Sequence, residues 1–168
     1  MTTFHTLLVC DDRPEIREAI TAVLHDVPAL TVIGEAADAS SCLAAVRDLS
    51  PDLLILDYSI PQGGPEVVRS AIDANPGMLI IVFSGRGDAR VKREMLEAGA
   101  YRYVLKTGRI MPLLHAVRAA LVDLGTESTD HFIPGQLPGP DRTTGSARWA
   151  EPTFRGGADR VRFRGPGR

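Results

Sequence analysis

Cysteine is scarce in this chain: Cys10 and Cys42 are its only two, and neither sits in a Cys-x-x-Cys pair or a mixed Cys/His cluster. A thiolate zinc site is thereby excluded, and a reducing cytosol is the natural setting. Long apolar runs are missing too. Nowhere do about 18 apolar residues follow one another, as a membrane span requires. Residues 1–8 likewise lack the basic region and apolar stretch of a secretory leader. The sequence thus predicts a soluble, cytoplasmic protein with no membrane segment. Charge of one sign is also absent, with 19 basic residues against 21 acidic ones. The whole molecule therefore has no electrostatic reason to bind nucleic acid or an anionic membrane, and its partners must be argued from a site. The four histidines, His5, His25, His115 and His131, show no metal-ligand spacing.

What is present is enough for one core, since 44% of the 168 residues are hydrophobic. Up to about Leu124, short apolar runs alternate with longer amphipathic segments, the pattern of a parallel sheet flanked by helices. The runs are Thr6 to Cys10, Leu30 to Gly34, Leu53 to Asp57, Leu79 to Ser84 and Tyr103 to Leu105. Helices are predicted over Arg13 to His25, Asp38 to Leu49, Gly64 to Ala74, Asp88 to Ala98 and Arg109 to Leu124. The first, third and fourth runs are almost wholly apolar, as central strands covered on both faces should be. Right-handed crossovers then favour an α/β, doubly wound, five-stranded parallel sheet of the flavodoxin-like kind. From Gly125 onward the composition turns to Gly, Pro and Arg with few aliphatic residues, so residues 125–168 are expected to form a disordered tail without a core of their own.

In such a sheet, ligands gather beyond the carboxyl ends of the strands where the strand order reverses. The residues ending the apolar runs are Asp11 and Asp12, Asp57, Ser84 and Lys106. Carboxylates at close quarters repel one another, and a hard divalent cation with oxygen ligands, magnesium first among them, relieves the repulsion. Lys106 adds a point charge suited to a phosphoryl oxygen, and the Ser84 hydroxyl can donate a hydrogen bond to one. The set suits an aspartyl nucleophile attacking a phosphoryl group. Each residue also has a plainer reading. Asp11 or Asp12 could cap the helix that starts near Pro14; Ser84 could be a turn residue, Lys106 a solvated strand end, and Tyr103 ordinary packing. Cys10 reads as a small buried hydrophobe.

The stretches Leu8-Val9-Cys10-Asp11-Asp12, Asp57-Tyr58-Ser59-Ile60-Pro61, Phe83-Ser84-Gly85 and Gly99 to Lys106, in that order and spacing, resemble the receiver domain of two-component response regulators, the CheY-like fold. The resemblance covers about residues 4–124. It implies a response regulator of a phosphorelay, phosphorylated on Asp57 by a sensor histidine kinase or phosphotransfer protein. The implied metal is Mg2+, with Asp12 and Asp57 as ligands, Asp11 acting through water and the Ser59 main-chain carbonyl completing the set. Lys106 would pair with Asp57 or its phosphoryl group, and Ser84 and Tyr103 would be the switch pair. The surface made by the Asp88 helix, the Tyr103 strand and the Arg109 helix would be the output face, for a second copy or a downstream protein. No activity beyond self-phosphorylation and self-dephosphorylation is implied, so the chain is not read as an enzyme.

Four features depart from the family pattern. The loop between Pro61 and Gly64 is one residue short, and Thr107 stands where a proline often follows the lysine, so no cis bond is implied. Ser59 and Gly85 are small and leave room for water, which predicts a short-lived phosphorylated state. Gly34 to Asp38 and Gly99 to Lys106 look like LuxR/NarL-type regulators, yet no recognition helix is visible after Leu124, so direct DNA binding is not expected. Three readings compete: a truncated or frame-shifted regulator lacking its effector, a pseudo-receiver that works without phosphorylation, and a haloacid-dehalogenase-like phosphohydrolase. The last wants a second carboxylate where Ser59 stands.

Overall fold

The computed structural model describes residues 4–125. They form β1 (His5–Cys10), α1 (Pro14–Leu24), β2 (Leu30–Ala36), α2 (Ala39–Leu49), β3 (Leu53–Leu56), α3 (Pro65–Ala74), β4 (Leu79–Ser84), α4 (Ala89–Glu97), β5 (Arg102–Leu105) and α5 (Met111–Asp123). All strand pairs are parallel, in the order β2-β1-β3-β4-β5. The predicted doubly wound sheet is thus the one observed, with the three most apolar strands at its centre. The expected tail lies outside the described residues apart from Gly125. Among the described residues, no helix is long and apolar enough to cross a membrane.

Strand residues point alternately to the two faces, and the core divides accordingly. Leu8, Cys10, Leu54, Leu56, Ile80 and Val82 pack beneath α2, α3 and α4. Leu7, Val9, Leu53, Ile55, Ile81 and Phe83 pack beneath α1 and α5. Helix starts follow local chemistry. Asp38 and Ser41 form a reciprocal capping box on α2, and Asp88 accepts the Arg90 N–H at the head of α4. In α1, α3 and α5 a proline occupies the first turn, where its missing N–H costs nothing.

Three boundaries differ from expectation for physical reasons. The last helix begins at Met111 rather than Arg109, because a helix from Arg109 would place Pro112 where an N–H must reach back to residue 108. The third strand ends at Leu56, so Asp57 stands just beyond the ladder, although its N–H still donates to the Cys10 carbonyl at 2.8 Å. The second strand runs on to Ala36, with an irregularity opposite Leu7 and Leu8 that absorbs one extra residue.

The short segment after Asp57 is closed tightly. Gln62 takes a left-handed conformation (φ 58°), and the Gly63 N–H donates to the Ile60 carbonyl at 2.8 Å. A Cβ on Gly63 would lie 2.5 Å from the Tyr58 carbonyl oxygen and 2.8 Å from that of Ile60, so only glycine fits. The Pro61 carbonyl accepts the Ala39 N–H, tying this loop to the head of α2. Among the described residues no peptide bond is cis, the one from Lys106 to Thr107 included.

Candidate functional site

The order of the strands reverses between β1 and β3, and the carboxyl ends of these two strands deliver Asp11, Asp12 and Asp57 to one crevice. One oxygen from each carboxylate lies within 4.8 Å of the others, the only such metal-capable group among the described residues. The two neighbours Asp11 and Asp12 are not equivalent. Asp11 is 1% exposed and held on every side, whereas Asp12 is open to solvent. The Asp11 N–H donates to Ala36, its carbonyl accepts from the Arg17 guanidinium, and its Oδ1 accepts the Arg13 N–H at 3.0 Å. The N-cap of α1 is Arg13, with no side-chain cap bond, so neither acid caps that helix.

From β5, Lys106 reaches across the sheet edge. Its Nζ lies 2.5 Å from Asp11 Oδ2 and 3.0 Å from Asp57 Oδ2, with the Phe83 ring 5.5 Å away. One ammonium thus offsets two buried carboxylates. Burial nevertheless pushes the Asp11 carboxyl above the usual range, against the pull of Lys106 and the Arg13 N–H. Asp57 is 4% exposed, and its Oδ1 is buried without any hydrogen-bond partner. An unsatisfied, solvent-excluded carboxylate oxygen is costly.

Hard oxygen donors in a tight triangle, one with an orphaned oxygen, fit a small divalent cation. The thiols do not compete for it. The neighbouring Cys42 and burial hold the Cys10 thiol far above its ordinary pKa, so it is an inert part of the core.

Ser84, at the end of β4, is fully buried, and its Oγ accepts the Arg86 N–H at 3.2 Å. Tyr103 is half-buried, and its hydroxyl donates to the Arg86 carbonyl at 2.7 Å. Burial pushes its phenol up, partly countered by Ser84. Both candidate switch residues therefore close on the main chain of one residue, through the two successive peptide units that flank it. The Arg86 guanidinium meanwhile stacks over the Tyr58 ring, 5.4 Å from its centre, joining this loop to the residue that follows Asp57. Sequence reasoning missed Arg86. Its one signal was a lone cation between Gly85 and Gly87 directly after a central strand. Of the described histidines, His25 and His115 are exposed, while His5 is buried at the opposite end of β1; His131 lies outside the described residues.

Known proteins resemble this chain in sequence and in fold. A family model described as the response regulator receiver domain matches residues 7–118. Response regulator GacA of Pseudomonas aeruginosa is 30% identical over 113 residues, which are 67% of this chain and 53% of that protein. DNA-binding response regulator MtrA of Mycolicibacterium smegmatis is 38% identical over 117 residues, 68% of this chain and 50% of that protein. The chain spans about half the length of these curated relatives. A crystal structure of a LuxR-family two-component response regulator from Aurantimonas superposes with a TM-score of 0.68 at 28% identity, covering 72% of this chain and 87% of that one. With the fold, the acidic triangle and these likenesses in agreement, the chain belongs to the response regulator receiver domain family.

Proposed function

We propose that Asp57 accepts a phosphoryl group from the phosphohistidine of a sensor kinase or phosphotransfer protein, and that this chain is the receiving component of a phosphorelay. The observation that carries this reading is the buried, unpartnered Oδ1 of Asp57 beside Lys106 and two further carboxylates. Oδ1 attacks phosphorus in line as the P–N bond breaks, leaving an acyl phosphate on Asp57 and the electron pair on the departing imidazole. Lys106 exchanges its contact with a carboxylate for one with a phosphoryl oxygen. Asp11, Asp12, Asp57 and the Ser59 carbonyl would hold Mg2+, which when bound neutralises charge on the transferring group. Ser84 would then turn its hydroxyl from the Arg86 N–H to the phosphoryl oxygen, and through the main chain of Arg86 Tyr103 would feel the change.

The chain acts on itself and turns over no separate substrate. Ser59 and Gly85 are both exposed, and a Cβ on Gly85 would meet nothing within 4 Å, so water reaches the acyl phosphate and its lifetime is short. Residues 4–124 form the signalling unit, in the cytoplasm. Intact-protein mass after incubation with magnesium and a small acyl phosphate tests the reading. One added phosphoryl group, lost within hours and absent under chelation, is expected; no added mass at early times would favour a pseudo-receiver.

A further inference from the structure

The two adjacent acids of the crevice are held by different means. Asp11 is bound through both its main chain and its carboxylate, whereas the Asp12 carboxylate is exposed and has no hydrogen bond or ion pair among the described residues. Where Asp12 stands is therefore set by the two rigid peptide planes that flank its Cα. The plane shared with Arg13 is tied by the Arg13 N–H, which donates to Asp11 Oδ1 at 3.0 Å. The plane shared with Asp11 is tied by its carbonyl, which accepts from Arg17 Nη1 at 2.7 Å. Arg17, on α1, thus supplies a tie that the acidic pair cannot supply for itself.

Arg17 is itself held in place. Its Nε donates to Glu35 Oε2 on β2 at 2.9 Å, and the other oxygen of Glu35 accepts from the Thr21 hydroxyl, one turn further along α1, at 3.3 Å. Glu35 is followed by Ala36, whose carbonyl accepts the Asp11 N–H at 3.1 Å. The bonds so run from β2 through α1 and back to the exit of β1. The planar guanidinium spans both partners at once, which a lysine ammonium cannot do. The Arg17 side chain is 17% exposed and that of Glu35 40%, and ion pairs so open to water contribute little to stability, so the main consequence of the pair is geometric.

We infer that Arg17 is a positioning residue for the cation site: braced by Glu35 and Thr21, it fixes the Asp11–Asp12 peptide and so presents the Asp12 carboxylate to a divalent cation. The inference rests on the reading of the acidic triangle as a magnesium site, and not on phosphoryl transfer to Asp57. Bracing and charge make opposite predictions. A cation beside a cation site repels its occupant, so by charge alone the loss of Arg17 tightens magnesium binding. By bracing, the same loss frees the peptide, Asp12 must be ordered each time the metal binds, and binding weakens.

The test is a calorimetric titration of magnesium alone into the full chain as wild type, Arg17→Met and Arg17→Lys. Arg90→Met, which breaks the ion pair with Glu94 on α4, serves as a comparison. Affinity should fall about tenfold in Arg17→Met, by a smaller factor in Arg17→Lys, and not at all in Arg90→Met. Amide spectra recorded in chelator check that each variant is folded; if Arg17→Met is not, Arg17→Lys decides. Tighter or unchanged binding in a folded Arg17→Met, wild-type affinity in Arg17→Lys, or an equal loss in Arg90→Met would each overturn the inference. No binding by wild type would overturn it together with the metal reading. Phosphoryl uptake from a small acyl phosphate at increasing magnesium gives a second readout. The half-saturating magnesium concentration should rise in Arg17→Met by the same factor, while the rate at saturating magnesium stays within about twofold. A lower saturating rate with no change in half-saturation would contradict a positioning role. A chain whose magnesium binding depends on Arg17 but that takes no phosphoryl group refutes only the acceptor, and a phosphorylated chain whose magnesium binding ignores Arg17 refutes only the positioning role.

Discussion

Asp52 and Asp57 stand at the two ends of β3, and their surroundings are opposite in kind. Asp52, at the entry, has a half-exposed side chain with one oxygen fully used: Oδ2 accepts from the Thr6 N–H at 2.8 Å and the Thr6 hydroxyl at 2.9 Å, with His5 Nδ1 3.7 Å away. The Asp52 N–H in turn donates to Thr6, so the two residues staple β1 to β3. Asp57, at the exit, is buried with one oxygen on Lys106 and the other on nothing. The same residue type on the same strand is thus satisfied at one end and held unsatisfied at the other. A carboxylate kept for structure is placed where its bonds are complete. The one proposed to accept a phosphoryl group has an oxygen unpaired and relies on the rest of the fold to tolerate it.

The largest stability effect should come from removing the cation that makes the exit site tolerable. Lys106→Met leaves Asp11 and Asp57 buried without compensation, and urea unfolding in chelator should show a loss of about 3 kcal/mol or more. Added magnesium should restore part of it; unchanged stability would mean the two carboxylates do not depend on Lys106. Next, Gly63→Ala forces a Cβ into the Tyr58 and Ile60 carbonyls, at a cost of about 1–3 kcal/mol by the same measurement. Because Ser59 lies inside that loop, magnesium affinity read by titration should fall with it.

At the entry, Asp52→Ala strands the Thr6 N–H and hydroxyl and should cost about 1–2 kcal/mol while leaving phosphoryl uptake intact, which separates structure from chemistry on one strand. The smallest effect is at Tyr103. With its folded pKa raised by burial, the phenol keeps its proton longer in the folded chain. Its contribution is therefore present below about pH 10 and lost as pH rises through the higher folded value. Tyr103→Phe should remove one component from the alkaline absorbance titration and cost about 1 kcal/mol or less at neutral pH.

Much of this was legible in the sequence. The five apolar runs fixed the strands because central parallel strands must be apolar on both faces, and their last residues supplied Asp11, Asp12, Asp57, Ser84 and Lys106. Periodicity does not say which of two adjacent acids turns inward, and the burial of Asp11 beside an exposed Asp12 follows from the Ala36, Arg13 and Arg17 contacts that only the folded chain assembles. Arg86 was hidden for a similar reason. Its importance lies in its main-chain N–H and carbonyl, which any residue type would possess, so its side chain gave no hint of what its peptide holds. The left-handed Gln62, a residue without special preference for that conformation, was equally unreadable.

The most direct measurement is where a phosphoryl group lands when wild type, Asp57→Asn and Asp52→Asn are each incubated with magnesium and a small acyl phosphate and weighed intact. The account predicts one added phosphoryl group in wild type and in Asp52→Asn, and none in Asp57→Asn. Addition to Asp57→Asn, or its loss in a folded Asp52→Asn, would contradict it.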